Sequence, residues 1–101
     1  GVGMPRIAQH ELTSLQGADA ESTLLKLADH AKRDPTYDPV SSKRTRRWHA
    51  TVGGLEYELL LTGPKFFDTR AKRGGGGAID LAMHLLQVDF KCAVAKLREV
   101  L

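Results

Sequence analysis

The sequence predicts an α+β domain: a small three-stranded antiparallel sheet flanked by N-terminal helices and two C-terminal helices. Three observations lead there. Apolar residues recur at helical spacing at both ends of the chain and alternate in the middle. The alternating segments are joined by Gly53-Gly54 and Gly63-Pro64, connections short enough only for antiparallel neighbours. The 101 residues, 42% of them hydrophobic, suffice for one core and not two.

The N-terminal third reads as helix, break, helix. Ile7, Leu12 and Leu15 form a short first stripe, and Gly17 punctuates it. Asp19 suits the N-cap of a second helix, whose stripe runs through Leu24, Leu25, Leu27, Ala28 and Ala31. Pro35 ends it, lacking an N–H and restricting the residue before it. "DPTYDPVSSKR" then reads as a solvent-facing loop. Gly1-Val2-Gly3 ahead of Met4 has the look of an expression scar, leaving residues 4–101 as the single domain.

The period then changes. In "RTRRWHATV", Trp48, Ala50 and Val52 share one face while Arg47, His49 and Thr51 share the other. Gly53-Gly54 signals a type I′ hairpin turn. "LEYELLL" places Leu55, Tyr57, Leu59 and Leu61 inward, with Glu56 and Glu58 outward. "KFFDT" supplies a third short strand. Such a sheet needs a cover. The cover is the stripe Ile79, Ala82, Met83 and Leu86, followed by a break at Val88-Asp89 and a second stripe of Phe90, Ala93, Val94 and Leu97. Asp89 is placed to cap the last helix.

Charge is unevenly distributed. The net charge is +3, but the span Lys43–Arg73 holds eight basic residues against three acids. The eight are Lys43, Arg44, Arg46, Arg47, Lys65, Arg70, Lys72 and Arg73, the usual footprint of a polyanion partner. No apolar run approaches the ~18 residues of a membrane span. With no signal peptide either, the chain reads as cytoplasmic and without a membrane partner. The single cysteine, Cys92, excludes an internal disulfide and reads as a small buried hydrophobe.

Catalytic chemistry is not signalled. The four histidines, His10, His30, His49 and His84, lie in different elements and in no nucleophile motif. His10 and His30 read as surface helix residues, and His84 as surface or core edge. "KRGGGGAID" has neither the Lys-Ser/Thr of a phosphate loop nor the spacing of a dinucleotide fingerprint. Two uses of the glycines stay open. Bare N–H groups at a helix start beside Arg70, Lys72 and Arg73 favour an anion, and Gly74 and Gly75 would then touch it. Alternatively, the glycines let the chain turn tightly against the sheet.

"GGAIDLAMHLLQVDFKCAVAKL" carries Gly76, Ile79, Met83, Phe90, Ala93, Val94 and Leu97 in the register of a known family. Over residues 57–99 the chain resembles the CHC2-type zinc-ribbon domain of bacterial and mobile-element DnaG-like primases. In register, the family's knuckle cysteines fall at Thr69 and Lys72, and its upstream pair near Trp48-His49; only His49 is a possible ligand. Four ligands are needed for structural zinc, so the resemblance implies a metal-free ribbon with no cofactor. Trp48, Tyr57, Phe66 and Phe67 would replace the ion in the core.

The resemblance implies a non-catalytic module that binds single-stranded DNA as an accessory to replication, priming or mobile-element transfer. A polymerase, primase or helicase is the implied protein partner. Basic side chains with interleaved aromatics suit single strands, since charge follows the backbone and rings stack on bases. The expected interface is Lys43, Arg44, Arg46, Arg47, Trp48, Lys65, Arg70, Lys72, Arg73, Gly74 and Gly75. The alternative is a regulatory adaptor that docks on a replication or conjugation protein.

Overall fold

The computed structural model describes residues 8–39 and 43–101. Ile7, the expected scar at residues 1–3 and the loop serines Ser41 and Ser42 lie outside them. The element order is α1 (Gln9–Gln16), α2 (Ala20–Leu27), β1 (His30–Arg33), β2 (Arg46–Val52), β3 (Leu55–Thr62), β4 (Lys65–Asp68), β5 (Arg73–Gly75), α3 (Ala78–Leu86) and α4 (Phe90–Val100). The strands form one antiparallel sheet in the order β1-β2-β3-β4-β5.

The α+β class holds, but the sheet has five strands and not three. The first addition comes from residues expected at the end of the second helix. α2 stops at Leu27, and Ala28 is already extended (φ −79°, ψ 146°). Asp29 then ties the chain to the hairpin: its N–H donates to Thr51 O at 2.9 Å and its carboxylate accepts the Gly53 N–H at 2.8 Å. His30–Arg33 pairs along β2, with Ala31 opposite Ala50. Partnering thus overrides a modest helical propensity. His30 accordingly lies on a strand.

The second addition is β5, drawn from the glycine run. A four-residue connection, 69–72, folds the chain back so that Phe67 faces Gly74 and Asp68 faces Arg73. Lys72 takes the left-handed φ of 57° needed to close it. A side chain at Gly74 would sit 2.6 Å from Phe66 O. At Gly75 it would lie 2.7 Å from both Phe66 and Asp80, and at Gly77 2.9 Å from the Gln16 backbone of α1. The glycines therefore let an edge strand and the start of α3 approach their neighbours closely, the second of the two uses left open above.

One sheet face is covered. Trp48, Ala50, Val52, Tyr57, Leu59, Leu61 and Phe66 pack with Leu24, Leu27, Leu81, Leu85, Val94 and Leu97 into one core. Gly53 and Gly54 both have positive φ, 57° and 83°, as the type I′ turn requires. Asp19 and Asp89 cap α2 and α4 by accepting the N–H of Ser22 and Cys92. Four apolar expectations fail at the margins, one of them Phe90, which heads the stripe of the last helix and is 37% exposed at the start of α4. Leu25 and Leu55 are 56% and 52% exposed, the one turned from the core and the other at the hairpin tip beyond the helices. Cys92, in the first turn of α4, is exposed as well.

Candidate nucleic-acid interface

The opposite sheet face carries the side chains that alternate with the core positions, and none of the helices among the described residues covers it. Across it the register aligns Arg47 of β2, Leu60 of β3, Phe67 of β4 and Gly74 of β5 in one row. Phe67 is 43% exposed because the bare Gly74 beside it leaves its ring uncovered. It was expected to fill a core; alternation instead sends Phe66 inward and Phe67 outward.

At the other end of the row, Tyr37 lies over the Arg47 guanidinium, 5.1 Å from ring centroid to Cζ. Asp34 fixes this arrangement. It accepts from Arg47 Nε at 3.0 Å and Nη2 at 2.7 Å, from the Thr36 N–H at 2.9 Å and hydroxyl at 2.6 Å, and lies 3.2 Å from His49 Nε2. The Thr36 hydroxyl and N–H, then Arg47 and His49, hold the Asp34 carboxyl far below the usual carboxylate range. Asp34 in turn raises the Arg47 guanidinium above its ordinary value. Tyr37 and Phe67 line a groove of about 400 Å³ over Leu60 and Thr62, with the exposed Lys65 at its side.

A buried pair stands where the resemblance placed the metal knuckle. Asp68, 3% exposed, accepts the N–H groups of Arg70 and Ala71 at 2.9 Å each, which shapes the 69–72 connection. His84 Nε2 reaches its other oxygen at 2.6 Å. Burial pushes the Asp68 carboxyl up, but the Ala71 N–H, His84 and the Arg70 N–H outweigh it and hold the carboxyl below its ordinary value. An ionised carboxylate only accepts, so His84 Nε2 carries the hydrogen. The imidazole packs between Tyr57 and Phe66, at 5.6 and 5.4 Å between centroids. Thr69 Oγ1 donates to Glu58 Oε1 at 2.7 Å and braces the turn from the other side. Among the described residues no three of His, Cys, Asp and Glu gather to hold a metal ion.

The eight cations of the expected interface separate into three groups. Lys65, Arg70, Lys72 and Arg73 are exposed around β4, the connection and β5, and make no ion pair among the described residues. Lys43 and Arg44 are exposed just before β2. Arg46 and Arg47 are exposed and half-buried, already paired with Glu21 at 3.2 Å and Asp34 at 2.7 Å. Trp48 must be withdrawn as a stacking residue: it is 9% exposed, in the core, and its indole N–H donates to Glu21 Oε2 at 2.6 Å.

Gly74 and Gly75 form the bare sheet edge and not an anion loop. At the start of α3 the Gly76 N–H faces Asp80 Oδ2 at 3.3 Å, and a carboxylate there opposes an anion. Sequence reasoning missed Tyr37 and Leu60. Tyr37 sits in a loop with no period, and the contacts of Asp34 with Arg47 bring it to the sheet.

No family model matches the chain, and no solved structure matches it. Over 43 residues it is 42% identical to a Zymomonas mobilis protein called "65 kDa protein". The match takes in 43% of this chain and 7% of that protein's length, and the name states a mass and no activity. No helix among the described residues is long and apolar enough to cross a membrane.

Proposed function

We propose that this chain is a non-catalytic module that binds single-stranded DNA on the open sheet face, as an accessory to replication, priming or mobile-element transfer. The observation that carries the reading is the row Arg47–Leu60–Phe67–Gly74, with Tyr37 over one end. β2 and β4 run roughly 10 Å apart, twice the interstrand spacing. Tyr37 and Phe67, which line one groove, offer stacking positions for unpaired bases. Lys65, Arg70 and Lys72, free of internal ion pairs among the described residues, supply charge along the phosphates. The resemblance of residues 57–99 to the primase domain points the same way.

The test is fluorescence anisotropy with a dye-labelled dT12 at two salt concentrations. Binding should weaken steeply with salt, with a log–log slope of about −0.7 for each phosphate neutralised. Lys65→Ala with Arg70→Ala should flatten that slope and lower affinity. An absence of binding at low salt would overturn the reading and favour the adaptor role, with the same face meeting a protein.

A further inference from the structure

A second concavity, of about 390 Å³, opens on the other side of the β5 edge, between the β4–β5 hairpin and α3. Phe66, Met83 and Val88 make its apolar walls. Four polar side chains reach it, and two are already committed. His84 holds Asp68, and the Gln87 amide donates to the His84 carbonyl. Arg73 and Asp80 remain. Arg73 has no partner among the described residues. Asp80 is exposed, with one oxygen near the Gly76 N–H and the other without a hydrogen-bond partner among the described residues. The two charges line one cavity without pairing, so a guanidinium and a carboxylate are both presented to whatever enters.

We propose that this cavity takes a single guanine base from the bound strand, an inference that rests on the single-strand reading above. Guanine alone among the DNA bases offers two adjacent donors, N1–H and N2–H, to match the two oxygens of a carboxylate. On a different edge it offers two adjacent acceptors, O6 and N7, the pair that an arginine fork recognises. Adenine and cytosine carry one amino group each, and thymine one ring N–H. The half-buried Met83 and Val88 supply the apolar wall that the base would meet.

Continuity with the outer groove supplies the path. Phe66 lines both concavities, Gly75 lines the outer one and Gly74 the inner one. Between them the sheet edge bears no side chain, so a strand crosses it unobstructed. The only side chain on β5 is Arg73, in the cavity wall.

The experiment compares dT12 with dT12 carrying one central dG, dA or dC, by anisotropy at low salt. The single dG should tighten binding roughly tenfold, within the range of one good bidentate pair, while dA and dC leave it near dT12. Asp80→Asn keeps an acceptor for the Gly76 N–H but converts half of the fork to a donor, and should erase the dG preference. Arg73→Gln should reduce it. Unaltered thermal melting would show both variants folded. Equal affinity for all four oligonucleotides, or a preference for another base, overturns the guanine site and leaves single-strand binding standing. Failure of all four to bind overturns the single-strand reading itself, and the site with it.

Discussion

Replacing Asp68 by alanine should be the most damaging single polar change in this fold. The carboxylate is 3% exposed and receives two backbone N–H groups at 2.9 Å and His84 at 2.6 Å. Alanine leaves all three donors without their acceptor. Breaking a buried pair of this kind costs about 3–5 kcal/mol. A domain of this size holds on the order of 5–15 kcal/mol in total. At ~4–8 °C per kcal/mol, the melting temperature should fall by roughly 12–40 °C.

Asparagine keeps an acceptor for the N–H groups but loses the charge and turns an amide donor toward the His84 Nε2–H, so its cost should be ~1–3 kcal/mol, below that of alanine. The sign with pH follows from the lowered carboxyl. Its contribution is fully present above the unfolded value of about 3.9 and is lost as pH falls through the lower folded value. Urea melts of wild type, Asp68→Ala and Asp68→Asn at pH 7, 5, 4 and 3 provide the assay. The gap between wild type and Asp68→Asn should close as pH falls from 5 to 3. A loss under ~1 kcal/mol for Asp68→Ala, or a gap unchanged down to pH 3, would refute the reasoning.

Phe67→Ala should weaken dT12 binding about tenfold, since stacking contributes ~1–3 kcal/mol per base, and barely move the melting temperature because the ring is exposed; an affinity equal to wild type would remove Phe67 from the interface. Gly77→Ala should cost ~1–3 kcal/mol, because its new methyl meets the Gln16 backbone. Gly76→Ala, with open space and no left-handed φ, should be neutral or stabilise by ~0.4–1 kcal/mol; similar melts for the two variants would count against the close-packing account of the glycine run. Prolonged treatment with a chelator should leave the thermal melt unchanged, and a fall of several degrees would show that a metal contributes to the fold.

Much of the architecture can be read in the residues. Trp48, Ala50 and Val52, and then Tyr57, Leu59 and Leu61, announce their strands because alternation is a local property of a half-covered sheet. Gly53-Gly54 and the capping aspartates Asp19 and Asp89 are equally local, and each sits where its chemistry places it. β1 and β5 could not be read this way. "HAKR" is neither alternating nor β-branched, and "RGG" has almost no side chains, so both exist as strands only because a partner edge takes their backbone hydrogen bonds. Misreading them cost the sheet two strands.

The candidate site divides along the same line. The cluster of cations from Lys43 to Arg73 is plain in the sequence, because charge is a property of single residues. Their availability is not. Arg46 and Arg47 are spent on Glu21 and Asp34, residues 25 and 13 positions away, while Lys65, Arg70, Lys72 and Arg73 remain unpaired among the described residues. The sequence alone determined that the chain is an α+β domain with a basic middle and aromatics beside it. Only the tertiary structure decided that Trp48 turns in and Phe67 out, that Tyr37 joins the face through Asp34, and that an Asp68–His84 pair braces the turn. Those outcomes depend on long-range pairing and burial, where groups distant in sequence settle which side chain faces water.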